Sequence, residues 1–242
     1  MTGADELCRS VRAAIERELH AGHQELQLAI RAADDGHVTI SGEVEDIIRK
    51  RKLAPVAGQV PGVLRVEDQT RIIPAQRKAD GELLDALYAA LSSESAFREY
   101  AIAGEDGGPN GVRYSSREDA AGVMEILVKD AVATLVGNVQ SLTHRRLAEV
   151  LAWWTPGIVD VVDQLHVVPP EDDSDDELTD ALRIVLEKDP WLDASQITVR
   201  TASGRVVLDG LLRTSEQRHM AECDAWYVPG VRSVENRIQV RS

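Results

Sequence analysis

Apolar residues along the chain recur at two spacings. Leu7, Val11, Ile15 and Leu19 fall at helical spacing, as do Leu83, Leu87 and Leu91, and then Leu178, Leu182 and Val185. These runs predict three amphipathic helices, each with one buried stripe. After each helix the period changes. Leu26, Leu28 and Ile30 alternate with polar neighbours, and so do Ile197, Val199 and Thr201, which predicts strands with one buried face. Asp34-Asp35-Gly36 and Ser203-Gly204 provide turn chemistry, so each of these strands should have a hairpin partner.

The partner strands reveal a repeat. Val38-Thr39-Ile40-Ser41-Gly42, Ala133-Thr134-Leu135-Val136-Gly137 and Val206-Val207-Leu208-Asp209-Gly210 share one pattern, and nineteen positions after each glycine stands Pro61-Gly62, Pro156-Gly157 or Pro229-Gly230. Asp46, Ser141 and Thr214 follow the glycines by four positions, all good helix N-cap types, so a second helix should run from each towards the Pro-Gly pair. A last strand then reads Val66, Asp68, Thr70, Ile72; Val161, Asp163, Leu165, Val167; and Val234, Asn236, Ile238, Val240. The expected class is α+β: three tandem α-β-β-α-β modules, each with two helices packed on a small three-stranded mixed sheet. They span residues 1–74, 79–169 (with an insertion at about 93–122) and 174–242. The repeated glycines and Pro-Gly pairs are expected to be structural, at sites of positive φ, close approach or tight turning. Sheets this small bury modest cores, so neighbouring modules are expected to pack together.

The pattern V-x-L-x-G, about nineteen residues, then P-G-V-x-x-V-x-x-x-[IL]-x-V resembles the BON domain of bacterial proteins. The third copy fits best, from Val206 to Gly210 and from Pro229 to Val240; the first departs at Thr70 and the second at Ala133 and Ile158. The resemblance implies the α/β module above and a non-enzymatic role. It also implies association with phospholipid or membrane attachment and with osmotic-stress proteins of the bacterial envelope.

Charge and composition narrow the remaining classes. The 242-residue chain carries a net charge of −14, and each module is net acidic, which argues against a nucleic-acid partner. No apolar stretch reaches membrane-spanning length. Asp5 and Glu6 near the start, with no unbroken apolar run, predict no export signal, and Cys8 and Cys223 do not make a disulfide framework. The expected address is the cytoplasm, with peripheral attachment to the inner membrane face.

Candidate contact residues lie on the second helix of each module. Arg49-Lys50-Arg51-Lys52 aligns with His144-Arg145-Arg146 and with Gln217-Arg218-His219. These are either headgroup contacts or the solvated face of a helix. Trp153-Trp154 and Trp226-Tyr227 occupy aligned positions at the end of that helix and are expected at module–module or membrane interfaces. Trp191 is expected to cap the third core. Asp68, Asp163 and Asn236 share one strand position, where a backbone hydrogen bond is the expected role.

Other features are expected to be bland. The segment Pro169–Glu177, with six acids in its last seven residues, reads as a solvated linker. In the insertion, Phe97, Tyr100 and Tyr114 surround the loop from Gly104 to Gly111, expected to be a loose surface hairpin or a ligand or partner loop. His20 and His23 lack further ligands, so no metal is expected, and no cofactor or catalytic residues are expected either. Two functional expectations result. The first is a non-enzymatic phospholipid-associating or osmotic-stress protein. The second is a soluble scaffold or regulator that binds a protein, small ligand or cation through the insertion and the inter-module aromatics.

Overall fold

The computed structural model describes residues 3–19, 28–105, 113–114 and 119–241. His20, His23, Leu26 and most of the Gly104–Gly111 loop lie outside the described residues, as does the side chain of Tyr114. The chain forms two compact units, the first ending at Ile73 and the second beginning at Pro74.

The first unit runs α1 (Gly3–Glu18), β1 (Leu28–Ala32), β2 (His37–Val44), α2 (Ile47–Gly58) and β3 (Arg65–Ile72). Its sheet has the order β1-β2-β3, with β1 antiparallel and β3 parallel to the central strand. Val11 and Ile15 of α1 and Leu53 and Ala57 of α2 meet Leu28, Val38, Ile40 and Val44 in one core. The predicted stripes and alternations therefore point at each other across a single helix–sheet interface.

The second unit contains two further modules. Module two runs α3 (Asp80–Ser93), β4 (Tyr100–Glu105), β5 (Arg113–Tyr114), β6 (Gly122–Lys129), β7 (Val132–Val139), α4 (Leu142–Trp153) and β8 (Asp160–Val167). Module three runs α5 (Asp175–Lys188), β9 (Ile197–Ala202), β10 (Arg205–Leu212), α6 (Ser215–Tyr227), β11 (Ser233–Asn236) and β12 (Gln239–Val240). In module three the last strand is split in two, and both parts run parallel to β10.

Module two departs from the expected three strands. Its sheet has five, in the order β5-β4-β6-β7-β8, because the insertion adds β4 parallel to β6. The described part of the insertion is therefore not a loose hairpin. Phe97 and Tyr100 are buried with Leu83, Leu87 and Met124, and the Tyr100 hydroxyl accepts a hydrogen bond from the Gln140 N–H at 3.0 Å. Tyr100 stacks on His144, centroids 5.5 Å apart, and burial lowers the pKa of that imidazole. Aromatics with helical or strand-like neighbours bury readily, and here they extend the core past an edge that three strands would leave open.

The second helices begin as the side-chain chemistry dictates. Asp46, Ser141 and Thr214 are N-caps whose side-chain oxygens accept from the backbone N–H groups of Arg49, His144 and Gln217. Ser141→Ala is expected to weaken α4 by about 1 kcal/mol. Faster amide hydrogen exchange in its first turn would register the change, and unchanged exchange would refute the cap's contribution.

Gly42, Gly137 and Gly210 occupy equivalent places in the central strands, at φ of +136°, +136° and +153°. Gly62, Gly157 and Gly230 also have positive φ. At these turns the first helix of each module lies close: an added Cβ would sit 3.6 Å from Leu7, 2.8 Å from Leu83 and 3.6 Å from Leu178 respectively. The preceding Pro61, Pro156 and Pro229 direct the chain into that turn.

Candidate functional site

The repeated basic position on the second helix is tied to the last strand. Asp68 Oδ1, Asp163 Oδ1 and Asn236 Oδ1 each accept the backbone N–H two residues on, at 2.8, 2.9 and 3.2 Å. The expected backbone bond is thus made three times. The same side chains, or their strands, receive the aligned basic residue. Lys50 Nζ donates to the Thr70 carbonyl and lies 3.8 Å from Asp68. Arg145 Nε donates to Asp163 at 2.6 Å, and Arg218 donates to the Asn236 carbonyl at 3.2 Å. A cation at this position joins helix to strand.

Two expected surface contacts, Lys50 and Arg146, are consequently corrected, while Trp153 meets Tyr227 of module three, one of the interfaces expected for it. Lys50 is only 6% exposed and Arg146 3%, while Trp153 and Trp226 are also buried. A buried charge is tolerated where a hydrogen bond and an opposite charge offset its lost hydration, as the Thr70 carbonyl does for Lys50 and Asp173 for Arg146. Helix periodicity alone does not reveal those partners. Arg49 pairs with Glu45 at 2.8 Å and with Asp46. Arg51 and Lys52 are half-buried, and Arg218 is exposed.

Modules two and three meet along α4. Val150 of α4 sits in the core of module three, beside Leu178, Leu182 and Val228. Arg146 reaches across to the Pro229 carbonyl at 3.0 Å and to Asp173 at 2.6 Å. Glu171 accepts from the Leu142 N–H at 2.8 Å, at the start of α4. The acidic linker is thus a working part of the seam: one carboxylate meets a helix N-terminus and another a buried guanidinium. Lys188 adds a bond of 2.8 Å to Glu94, whose pKa burial would raise but Lys188 and the Ala96 N–H hold below the ordinary range.

The aligned aromatics close the other end of this seam. Trp153 and Tyr227 have ring centroids 6.0 Å apart, and the Trp154 indole N–H donates to Asp224 Oδ1 at 3.2 Å. Beside them opens a cavity of about 400 Å³, lined by Trp154, Trp191, Tyr227, Met220, Asp189 and Asp224 among others. Trp191 does not cap the core as expected. It is 72% exposed on the cavity rim, where its N–H donates to Asp189 at 2.8 Å and its carbonyl accepts from Gln217 at 2.7 Å.

Asp224 is the anomalous group in this site. It is 4% exposed, and its Oδ2 meets no donor among the described residues. Burial, the charge of Asp189 and a carboxyl–carboxylate hydrogen bond with it push the Asp224 pKa up to about 8, against the opposing Trp154 N–H. The sequence held an unread signal here. Fourteen positions after the repeat glycine, modules one and two have Val56 and Leu151, and module three alone has an acid. Among the described residues, no group of three or more His, Cys, Asp and Glu is arranged to hold a metal ion. No helix among them is long and apolar enough to cross a membrane.

Three small α+β modules, repeated in sequence and carrying their aligned side chains into helix–strand ties, with modules two and three sharing a seam, define a class of tandem modular proteins. The BON domain profile matches residues 4–74, 116–169 and 174–242, and the chain belongs to the BON-domain family. A curated relative, osmotically-inducible protein Y of Escherichia coli (strain K12), is 30% identical over 116 residues, covering 46% of this chain and 58% of its own. The chain thus spans little more than half the length of that relative. Among solved structures, the C-terminal domain of CdsD, the structural protein of the type III secretion system of Chlamydia trachomatis, is 12% identical. It matches over 95% of this chain and 96% of its own, at a TM-score of 0.26. The PrgH periplasmic domain is 11% identical over 89% and 96%, at a TM-score of 0.24. Likenesses this low constrain neither fold nor function.

Proposed function

We propose that this chain is a non-catalytic binding protein of the osmotic-stress response whose tandem modules associate peripherally with a phospholipid surface. The observation that carries this reading is the family membership of all three modules, together with the osmotically-inducible relative. Weak contacts on separate modules add through effective concentration, so no single module needs a deep lipid site. The contact set that supports this reading is smaller than the sequence implied. Arg51 and Lys52 on α2, with Arg145 and the exposed Arg218, remain near the surface.

Co-sedimentation with phosphatidylglycerol vesicles tests the proposal. Pelleting at low salt that falls as salt rises is expected, because the contacts are electrostatic. Replacing Arg51 and Lys52 by Ser should weaken it about thirtyfold, at roughly 1 kcal/mol per basic residue near the surface. Absence of pelleting at low salt removes the phospholipid reading. Cell fractionation tests the cytoplasmic address. A second reading, a soluble protein that takes a small ligand at the inter-module aromatics, is favoured by the cavity beside Trp154 and Tyr227.

A further inference from the structure

Module three places a buried carboxyl where its sister modules have a partly buried aliphatic side chain, and a cavity opens beside it. Asp224 aligns with Val56 and Leu151, lies within the fold, and presents an oxygen that no donor among the described residues satisfies. Such a group keeps its proton or finds a cation, since an unpaired buried carboxylate is strongly disfavoured. The cavity at this carboxyl has a volume in the range of small-molecule sites. Its lining combines three aromatic residues, Trp154, Trp191 and Tyr227, with two acids, Asp189 and Asp224, and contains no Lys or Arg among the described residues.

That combination selects a chemical class. Aromatic faces attract cations through their quadrupole, most strongly the diffuse, weakly hydrated charge of alkylated ammonium groups. Carboxylates supply the opposite charge. A hard metal ion would need an arrangement of oxygen donors that is absent among the described residues. Trp191 is notable because an exposed indole gains little from burial in its own module. Its backbone is nonetheless fixed on both sides, by Asp189 and by Gln217, which holds it at the cavity rim. A backbone fixed before the ligand arrives leaves only the side chain to be ordered on binding.

We propose that the cavity between α4 and α6 binds the quaternary ammonium group of a small organic cation, with Trp191 and Tyr227 as the aromatic wall and Asp224, its proton released as the cation enters, as the counter-charge. This deepens the small-ligand reading above and is independent of phosphatidylglycerol binding. The ammonium group comes either from a free solute or from a choline headgroup in a bilayer.

The test uses the full chain and follows tryptophan fluorescence during titration with choline chloride. Parallel titrations use 3,3-dimethylbutan-1-ol, its uncharged isostere, and sodium chloride at matched ionic strength. Phosphatidylcholine vesicles form the second arm. Saturable binding of choline at least tenfold tighter than the isostere is expected. Trp191→Ala, at an exposed position where folding is not at stake, should reduce choline affinity about tenfold. Asp224→Leu restores the aliphatic character of the sister modules and should abolish the preference for the charged ligand. Saturation by choline assigns a free solute, and response to vesicles with none to choline assigns a headgroup; either supports the site, provided Trp191→Ala weakens it. No saturable response in either arm, equal binding of the isostere, or indifference to Trp191→Ala overturns it. Phosphatidylglycerol pelleting is unaffected by any of these outcomes.

Discussion

Gly210→Ala is expected to destabilise module three by about 3–5 kcal/mol, the combined scale of a strained backbone and an overpacked contact. Gly210 has a φ of +153° within β10 and faces Ile197 of β9. A Cβ built there overlaps the Gln196 carbonyl oxygen, a backbone atom that cannot rotate away. Gly137 faces the same obstacle in the Val123 carbonyl, so Gly137→Ala should act similarly on module two. Small modules have little stability to spare, since whole domains are stable by only about 5–15 kcal/mol. Gly58→Ala is the contrast. Gly58 is the last residue of α2 and an added Cβ meets nothing within 4 Å, so that variant should be neutral or gain up to about 1 kcal/mol. Thermal melts followed by circular dichroism, with hydrogen exchange to locate the loss, separate these outcomes. A Gly210→Ala protein as stable as the parent would show that the strand glycine is dispensable.

The contribution of Asp224 to stability should fall as pH rises from about 4 towards 8, and it should account for the difference between parent and Asp224→Asn. The sign follows from proton binding. Asp224 has an ordinary pKa of 3.8 when unfolded and one near 8 when folded, so the folded chain holds an extra proton between those values. Unfolding in that window releases the proton, and raising the pH therefore favours the unfolded state. The effect is on the order of a few kcal/mol, complete once the pH exceeds the folded value. Asp224→Asn retains an oxygen for the Trp154 N–H and carries no charge at any pH. Its melting temperature should exceed the parent's increasingly as pH rises. Asp189 faces Asp224, and His219 and Cys223 line the same cavity. Comparison with His219→Gln therefore keeps the neighbouring imidazole's influence apart. Parallel stability–pH curves for parent and Asp224→Asn would sink this account.

Both expectations begin from positions that aligning the three repeats brings together. The glycine spacing, the N-caps and the paired Pro-Gly turns are local features, and local features are written into neighbouring residues. Asp46, Ser141 and Thr214 act on an N–H three residues away, so their role could be read without any fold. The carboxyl and amide of Asp68, Asp163 and Asn236 bond two residues along their own strand, which is equally local. What they do for Lys50, Arg145 and Arg218 is different, because helix and strand are joined there only by folding.

The insertion shows the same division. Its length was plain in the sequence, yet only the sheet determined that Tyr100–Glu105 would pair with β6, since an edge strand is specified by the edge it finds. Arg146 looks like a surface residue from its helix alone, and Trp153 like a residue of some interface. They are buried because a second module lies against α4, with Asp173 and Tyr227 brought within reach.

The sequence by itself determined the number of modules, their order of helices and strands and the residues that turn and cap them. These depend on hydrophobic period, φ preference and short-range hydrogen bonding. The tertiary structure alone decided which charges are buried, which strand extends the second sheet and where Asp224 and Trp191 share a cavity. Those outcomes depend on residues far apart in the chain, and their free energies arise only when water is excluded between them.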